Sequence, residues 1–326
     1  MIALAFDVGP SPAGTERWRQ SGRLFLPPGG ITPKAALVTL PGGTYDKRYW
    51  HLEVPGRDDY SFARYMAARG YMVVCVDHLG IGESTVPGPG QVLTLEVLAA
   101  ADLAVARQVR ERLESGTLHD AVAPSTIPVV GIGHSMGACL TIMVQSSGSA
   151  YDGVVLLGYG VHLGQDETLV EQSLTDRIAG RRARLQEIAG FADDANLVDV
   201  PREHLRDFFY AADVPDQVVA ADAEAAVPAP LPAAYEVTAA GFASRYAERI
   251  TVPVFLGFGE DADTSADPHM EPAHYPGARD VTLFTLPDSA HCHNFAGTRA
   301  GLWNRIASWL ESASLRNCDE PSATAR

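Results

Sequence analysis

The chain has 326 residues, 46% apolar and 20% charged, with a formal net charge of −15. That length suits one large α/β domain with an insertion, or two domains, and the apolar content can bury a sizeable core. So acidic a surface repels nucleic-acid phosphate and anionic headgroups, so the expected partner is a small molecule, not nucleic acid or a membrane.

The opening residues, "MIALAF", are apolar but short, with no preceding Lys or Arg and no small-residue cleavage site after a long apolar run. They do not make a secretory signal, and no stretch reaches the roughly 18 apolar residues of a membrane span. A soluble, cytoplasmic protein is expected. Residues 15–27, "TERWRQSGRLFLP", alternate apolar and polar as an opening hairpin or edge strand does. Six near-continuous apolar runs follow: "AALVTL" (35–40), "YMVVCVD" (71–77), "IPVVGIG" (127–133), "DGVVLLGYG" (152–160), "VPVFLGFG" (252–259) and "VTLFTLP" (281–287). Such runs mark parallel strands buried on both faces. Between them lie helical patterns. Residues 58–69 begin with acids and stop at Gly70, and residues 94–115 place Leu98, Ala101, Val105, Val109 and Leu113 on one face before Gly116. Residues 135–147 are apolar almost all round, as in a buried central helix, and 298–312 align Leu302, Ile306, Trp309 and Leu310. The alternation predicts an α/β fold with a mostly parallel, doubly wound sheet.

Residues 161–250 break the rhythm and contain no convincing strand. Helical stretches at 174–190 and 201–213 and an Ala/Pro/acid-rich run predict a helical cap inserted after the sixth strand, with "VPAPLPAA" (227–234) as a rigid connector or lid hinge. The expected division is a core of 1–160 and 251–314, a cap of 161–250, and a polar, disordered tail of 315–326. The four cysteines, Cys75, Cys139, Cys292 and Cys318, have neither metal spacing nor a disulfide framework, which suits free thiols in a reducing compartment. Nothing in the sequence signals an oligomeric state.

"GIGHSMGAC" (131–139) sets Ser135 in G-x-S-x-G, between an apolar run and a helix of small residues. A serine hydroxyl needs a base within hydrogen-bond reach, an acid to orient the base, and donors for the oxyanion formed on attack. A tight strand-to-helix turn lifts the serine above the sheet at a helix N-terminus, and its neighbours must be small, as Gly133 and Gly137 are. Four further stretches fit the same frame. "LVTLPGGTYDKRYW" (37–50) carries a Gly-Gly loop after a strand. "VVCVDHLGIGES" (73–84) carries D-x-x-G-x-G-x-S. "FGEDADTSADPH" (258–269) and "LPDSAHCHNFAG" (286–297) place acids and histidines after the last two strands.

On these motifs the chain resembles the α/β-hydrolase fold superfamily, in its cap-bearing serine esterase/lipase-like branch, over roughly residues 15–312. The resemblance implies the order Ser, acid, His: nucleophile Ser135, base His291 with His293 as runner-up, and acid Asp263, with Asp261 the alternative and Glu260 also within reach. It implies oxyanion donors in the backbone N–H groups of Gly43 and Met136, with Thr44 a further candidate. Pro41-Gly42-Gly43 stands where the family often has His-Gly. The implied function is hydrolysis of a carboxylic ester, lactone or thioester through an acyl-enzyme on Ser135, with a small-molecule acyl substrate and neither cofactor nor metal. A serine at this position excludes the aspartate-nucleophile chemistry that shares the fold. Alternatives are C–C bond hydrolysis or acyl transfer on the same triad, or a non-catalytic ligand-binding protein of the same fold.

Other features carry weaker signals. "GIG" (80–82) lacks the full dinucleotide fingerprint and reads as a turn. "DAD" (261–263) and "HCH" (291–293) offer metal-like pairs, but the triad uses one member of each. Arg177, Arg181, Arg182 and Arg184 read as a solvated helix face rather than a carboxylate clamp. "FFY" (208–210) with Leu205 fits an apolar pocket wall and a cap core equally. His134, Met136, Tyr45 and Trp50 lie near the cleft without an assigned role.

Overall fold

The computed structural model describes residues 1–10, 16–29, 31–88, 91–161 and 172–315. In chain order the strands are β1 (Ile2–Pro10), β2 (Arg17–Phe25), β3 (Ala36–Leu40), β4 (Met72–Val76), β5 (Val129–His134), β6 (Gly153–Leu157), β7 (Leu197–Val198), β8 (Ala229–Pro230), β9 (Val254–Gly259) and β10 (Val281–Leu286). The helices are α1 (Phe62–Ala68), α2 (Leu95–Ser115), α3 (Met136–Gly148), α4 (Leu174–Ala189), α5 (Arg206–Phe209), α6 (Asp216–Glu224), α7 (Ala233–Glu236), α8 (Ser244–Ala247) and α9 (Arg299–Ser312). Eight strands form one sheet in the order β1-β2-β4-β3-β5-β6-β9-β10. The pairs from β4 through β10 are parallel, while β1–β2 and β2–β4 are antiparallel.

The near-continuous apolar runs follow from burial on both faces. In β4, Met72, Val74 and Val76 face one core while Val73 and Cys75 face the other; in β6, Val154 and Leu156 oppose Val155 and Leu157. One layer is built on α2 and α3, and the opposite layer on α1 and α9. The face Leu98, Ala101, Val105, Val109 and Leu113 of α2 is buried as predicted. Thr94 caps that helix by accepting from Val97 N–H at 3.1 Å, and Gly116 ends it in the left-handed region.

Some expectations need correction. The "IALAF" part of "MIALAF" belongs to β1, the antiparallel partner of β2, with a register shift between Asp7 and Gly9. The helix predicted at 58–69 starts at Phe62, because the Ser61 side chain accepts from Arg64 N–H and so caps it. "VTLFTLP" forms β10, an edge strand only half-buried along most of its length. The insertion after β6 is mainly helical, but it does contain the short antiparallel pair β7–β8, whose second strand lies in "VPAPLPAA". Two-residue strands are too brief to leave a periodic signal.

Within the insertion, Phe242, Ala243, Ala247 and Ile250 pack in the same cluster as α2 and α3. Residues 162–171, within the expected cap, and 316–326, within the expected tail, lie outside the described residues. Leu315 is buried in the cluster that holds Trp309. Cys75, Cys139 and Cys292 are buried and free. No described helix is long and apolar enough to cross a membrane.

Candidate active site

β5 ends at His134 and α3 begins at Met136, so Ser135 alone makes the turn between them. Its backbone sits at φ 54°, ψ −119°, a conformation that costs a non-glycine residue about 1–3 kcal/mol. The surroundings hold it there. Ser135 N–H donates to Leu157 O at 2.8 Å, and Ser135 O accepts from Ala138 N–H at 2.9 Å and Cys139 N–H at 3.1 Å. The turn is packed backbone to backbone. A Cβ on Gly133 would lie 2.5 Å from Ala138 Cα, and one on Gly137 would lie 2.5 Å from Pro41 O. The serine is half-buried at the N-terminus of a helix of 13 residues, where N–H groups and the helix dipole favour negative charge.

The loop after β3 lies against this turn. A Cβ on Gly42 would sit 3.1 Å from Ser135 Cβ, and one on Gly43 would sit 3.9 Å from Met136 Sδ. Among the described residues, the backbone N–H groups of Gly43 and Met136 have no acceptor. The loop is anchored at both ends. His78 Nε2 meets Pro41 O at 2.9 Å, and its Nδ1 lies 3.2 Å from the buried carboxylate of Asp102. Burial alone would lower the His78 pKa, but Asp102 and the Pro41 carbonyl outweigh it and raise it. At the far end Thr44, at φ 67°, is clamped by Arg202 from the insertion: Nη1 donates to its Oγ1 at 2.7 Å and Nη2 to its carbonyl at 3.0 Å. Arg202 also covers the Tyr45 ring, at 4.3 Å from its centroid.

The acid and the base come from the loops after β9 and β10. His291 Nδ1 donates to Asp263 Oδ1 at 2.8 Å, and both side chains are almost wholly buried. Asp263 has three further donors: Thr264 N–H on Oδ1 at 2.8 Å, Gly259 N–H on Oδ2 at 2.8 Å, and His293 Nε2 on Oδ2 at 2.7 Å. Burial alone would raise its pKa, yet His293 and His291 hold the carboxyl well below the usual carboxylate range. Asp261 and Glu260 are exposed. The pair adjoins the serine turn across the end of β6: a Cβ on Gly158, one residue beyond the Leu157 carbonyl that Ser135 binds, would lie 3.1 Å from the His291 ring and 3.3 Å from Asp263 Oδ1.

Several residues without an assigned role turn out to hold the base. His134 is fully buried; its Nε2 donates to the His291 carbonyl at 2.8 Å, and its ring stacks on Tyr49 with centroids 4.4 Å apart. Burial, then His291 and His293, push its pKa well down, so it is a neutral imidazole. Phe208, half of the ambiguous "FF", stacks on the His291 ring at 4.3 Å. The Phe208 and Phe209 carbonyls accept from His291 N–H at 3.1 Å and Cys292 N–H at 3.0 Å. Tyr45 and Tyr210 donate to buried Asp222. The segment 202–210 therefore touches both the loop at Gly43 and the loop at His291. No sequence signal short of the fold reveals those backbone contacts.

The remaining candidates fall elsewhere. The "GIG" stretch is a turn in which Gly80 N–H donates to Thr85 O, and Asp77 beside it pairs with buried Lys47. Helix α4 buries no residue; its Arg182 pairs with Asp193 and Arg184 with Glu187. Trp50 packs on Phe62 in the core. Among the described residues no group of three or more His, Cys, Asp or Glu side chains is placed to hold a metal ion.

Comparison with known proteins agrees with this fold. A family model described as the alpha/beta hydrolase family matches residues 37–300. Among solved structures, a thermophilic esterase from Thermogutta terrifontis is 16% identical, with a TM-score of 0.61, 95% of this chain and 98% of that one being covered. The enol-lactonase from Burkholderia xenovorans LB400 is 15% identical at TM-score 0.57, covering 90% and 97%. A soluble variant of monoglyceride lipase from Saccharomyces cerevisiae is 16% identical at TM-score 0.61, covering 90% and 92%. At these identities the likeness is one of fold. The search of curated proteins finds no match.

Proposed function

Because the chain belongs to the alpha/beta hydrolase family, we propose that it is a serine hydrolase cleaving a carboxylic ester, lactone or thioester of a small molecule. The observation that carries this reading is the strained Ser135 turn set beside two acceptor-free N–H groups and a buried Asp263–His291 pair. In this reading Ser135 Oγ attacks the acyl carbon while His291 Nε2 takes its proton. The oxygen that becomes negative accepts from the N–H groups of Met136 and Gly43. His291 then returns the proton to the leaving group. A water molecule, giving a proton to the same nitrogen, attacks the acyl carbon; the bond to Ser135 Oγ breaks, His291 returns the proton to Oγ, and the acid is released. Asp263 fixes the Nδ1–H tautomer throughout and stabilises the imidazolium. Phe208 over the His291 ring and the insertion around it support an enclosed site. The buried thiols support a reducing, cytoplasmic setting.

The experiment is a panel of esters, lactones and thioesters incubated in oxygen-18 water, with products identified by mass. The wild type is expected to yield free acid with one solvent oxygen, and Ser135→Ala to yield none. Carbon–carbon cleavage products or an acyl–alcohol adduct would move the reading to another reaction on the same triad. Cleavage by Ser135→Ala at the wild-type rate would remove the nucleophile from it.

A further inference from the structure

The Asp263 carboxylate serves two imidazoles. One is His291; the other is His293, fully buried, with Nε2 2.7 Å from Asp263 Oδ2. We propose that His293 is a positioning residue for the base: by donating to the far oxygen of Asp263 it fixes the carboxylate's orientation and weakens its pull on the His291 proton. The proposal rests on the triad reading given above.

The direction of the His293 hydrogen bond follows from its partner. Nε2 faces a carboxylate and so carries the hydrogen. Among the described residues, Nδ1 is buried without a hydrogen-bond partner. Among the described residues the titratable groups around His293 are Asp263 on Nε2, the His291 and His134 rings, and the adjoining Cys292, with Tyr49 stacked on His134. The His291 and His134 rings lie 6.4 Å and 5.5 Å from His293. Tyr49 and Cys292 are held neutral, their pKa values raised chiefly by burial, and His134 is neutral for the same reason. Among the described residues Asp263 is the group that hydrogen-bonds His293, and that contact requires a hydrogen on Nε2.

The consequence can be given a sign. A carboxylate that accepts four hydrogen bonds has its charge spread over all four donors. Removing one leaves more of the charge for His291, which stabilises the imidazolium and raises the pH at which His291 loses its proton. His293 therefore keeps His291 a free base to lower pH. A role limited to packing would lower the rate without moving that titration.

The test follows the imidazole nitrogen signals by NMR from pH 4 to 9, together with the acid limb of kcat/KM, in wild type, His293→Phe and His293→Gln. The NMR readout does not require activity, so failure of the hydrolase reading and failure of this proposal are separable. In His293→Phe the His291 midpoint is expected to rise by about one pH unit, the scale of one hydrogen bond to a charged group. In His293→Gln, whose amide N–H reaches the same oxygen, it should return most of the way. In the wild type His293 Nε2 should carry a hydrogen bonded to Asp263, a measurement that stands even if His293→Phe does not fold. An unmoved or lowered His291 midpoint in His293→Phe overturns the proposal, as does a wild-type His293 whose Nε2 carries no hydrogen.

Discussion

Asp263→Asn is expected to lower kcat by about ten-thousandfold, the loss seen where an orienting carboxylate becomes an amide and the histidine takes the wrong tautomer. Here the argument is tighter than for a simple triad, because each carboxylate oxygen accepts one backbone N–H and one imidazole N–H. Oδ1 takes Thr264 and His291, and Oδ2 takes Gly259 and His293. An asparagine presents its NH2 to one of these pairs. The imidazole can answer by switching tautomer, but the backbone N–H cannot. If the NH2 faces Oδ1's partners, His291 must move its hydrogen to Nε2 and is lost as a base. In either orientation one buried backbone N–H is stranded, which costs about 1–3 kcal/mol of stability. Steady-state kinetics and thermal unfolding of the same preparation check both parts. Activity within tenfold of wild type would show that the carboxylate charge does not support catalysis.

The second large effect is on folding. Gly137 stands where a Cβ would collide with the Leu40 carbonyl and lie 2.5 Å from the Pro41 carbonyl. These are backbone atoms, one of them within the central sheet at the end of β3, so no flexible side chain can yield. Gly137→Ala is therefore expected to destabilise the protein by about 3 kcal/mol or more, measured as a lower denaturant midpoint. What folds should have a displaced turn and little activity, since the same backbone carries Met136 N–H. A contrasting control is Gly180→Ala in α4, where a Cβ meets nothing within 4 Å; there a helix-favouring residue replaces glycine, and stability should not fall. Equal stabilities for Gly137→Ala and wild type would mean that the turn is looser than its contacts imply.

How far the sequence carries the reader depends on what each feature needs. The parallel strands were legible because burial on both faces leaves near-continuous apolar runs, as in "MVVCV" of β4. The serine turn was legible because its crowding demands glycine at fixed offsets, and Gly133 and Gly137 are local to it. The first strand was not, because "IALAF" is an edge half-exposed on alternate residues and too short to stand out from any apolar N-terminus. The β7–β8 pair was not, because two residues carry no period. At the site, "DAD" and "HCH" announced a carboxylate and histidines. That both His291 and His293 reach the one carboxylate of Asp263 depends on the loop conformation after β10, which the sequence does not encode in any pattern. Phe208 and Arg202 were opaque for a further reason. Each acts from the insertion on a loop more than 80 residues away in sequence, and such contacts exist only once the insertion has docked.

The central claim is that Ser135 is an activated nucleophile. The most direct measurement is covalent labelling by a fluorophosphonate probe, followed by intact mass, on wild type, Ser135→Ala and His291→Ala. The account predicts rapid addition of one probe mass to wild type, none to Ser135→Ala, and much slower addition to His291→Ala. Folded wild type that stays unlabelled, or Ser135→Ala that labels as fast as wild type, would contradict it.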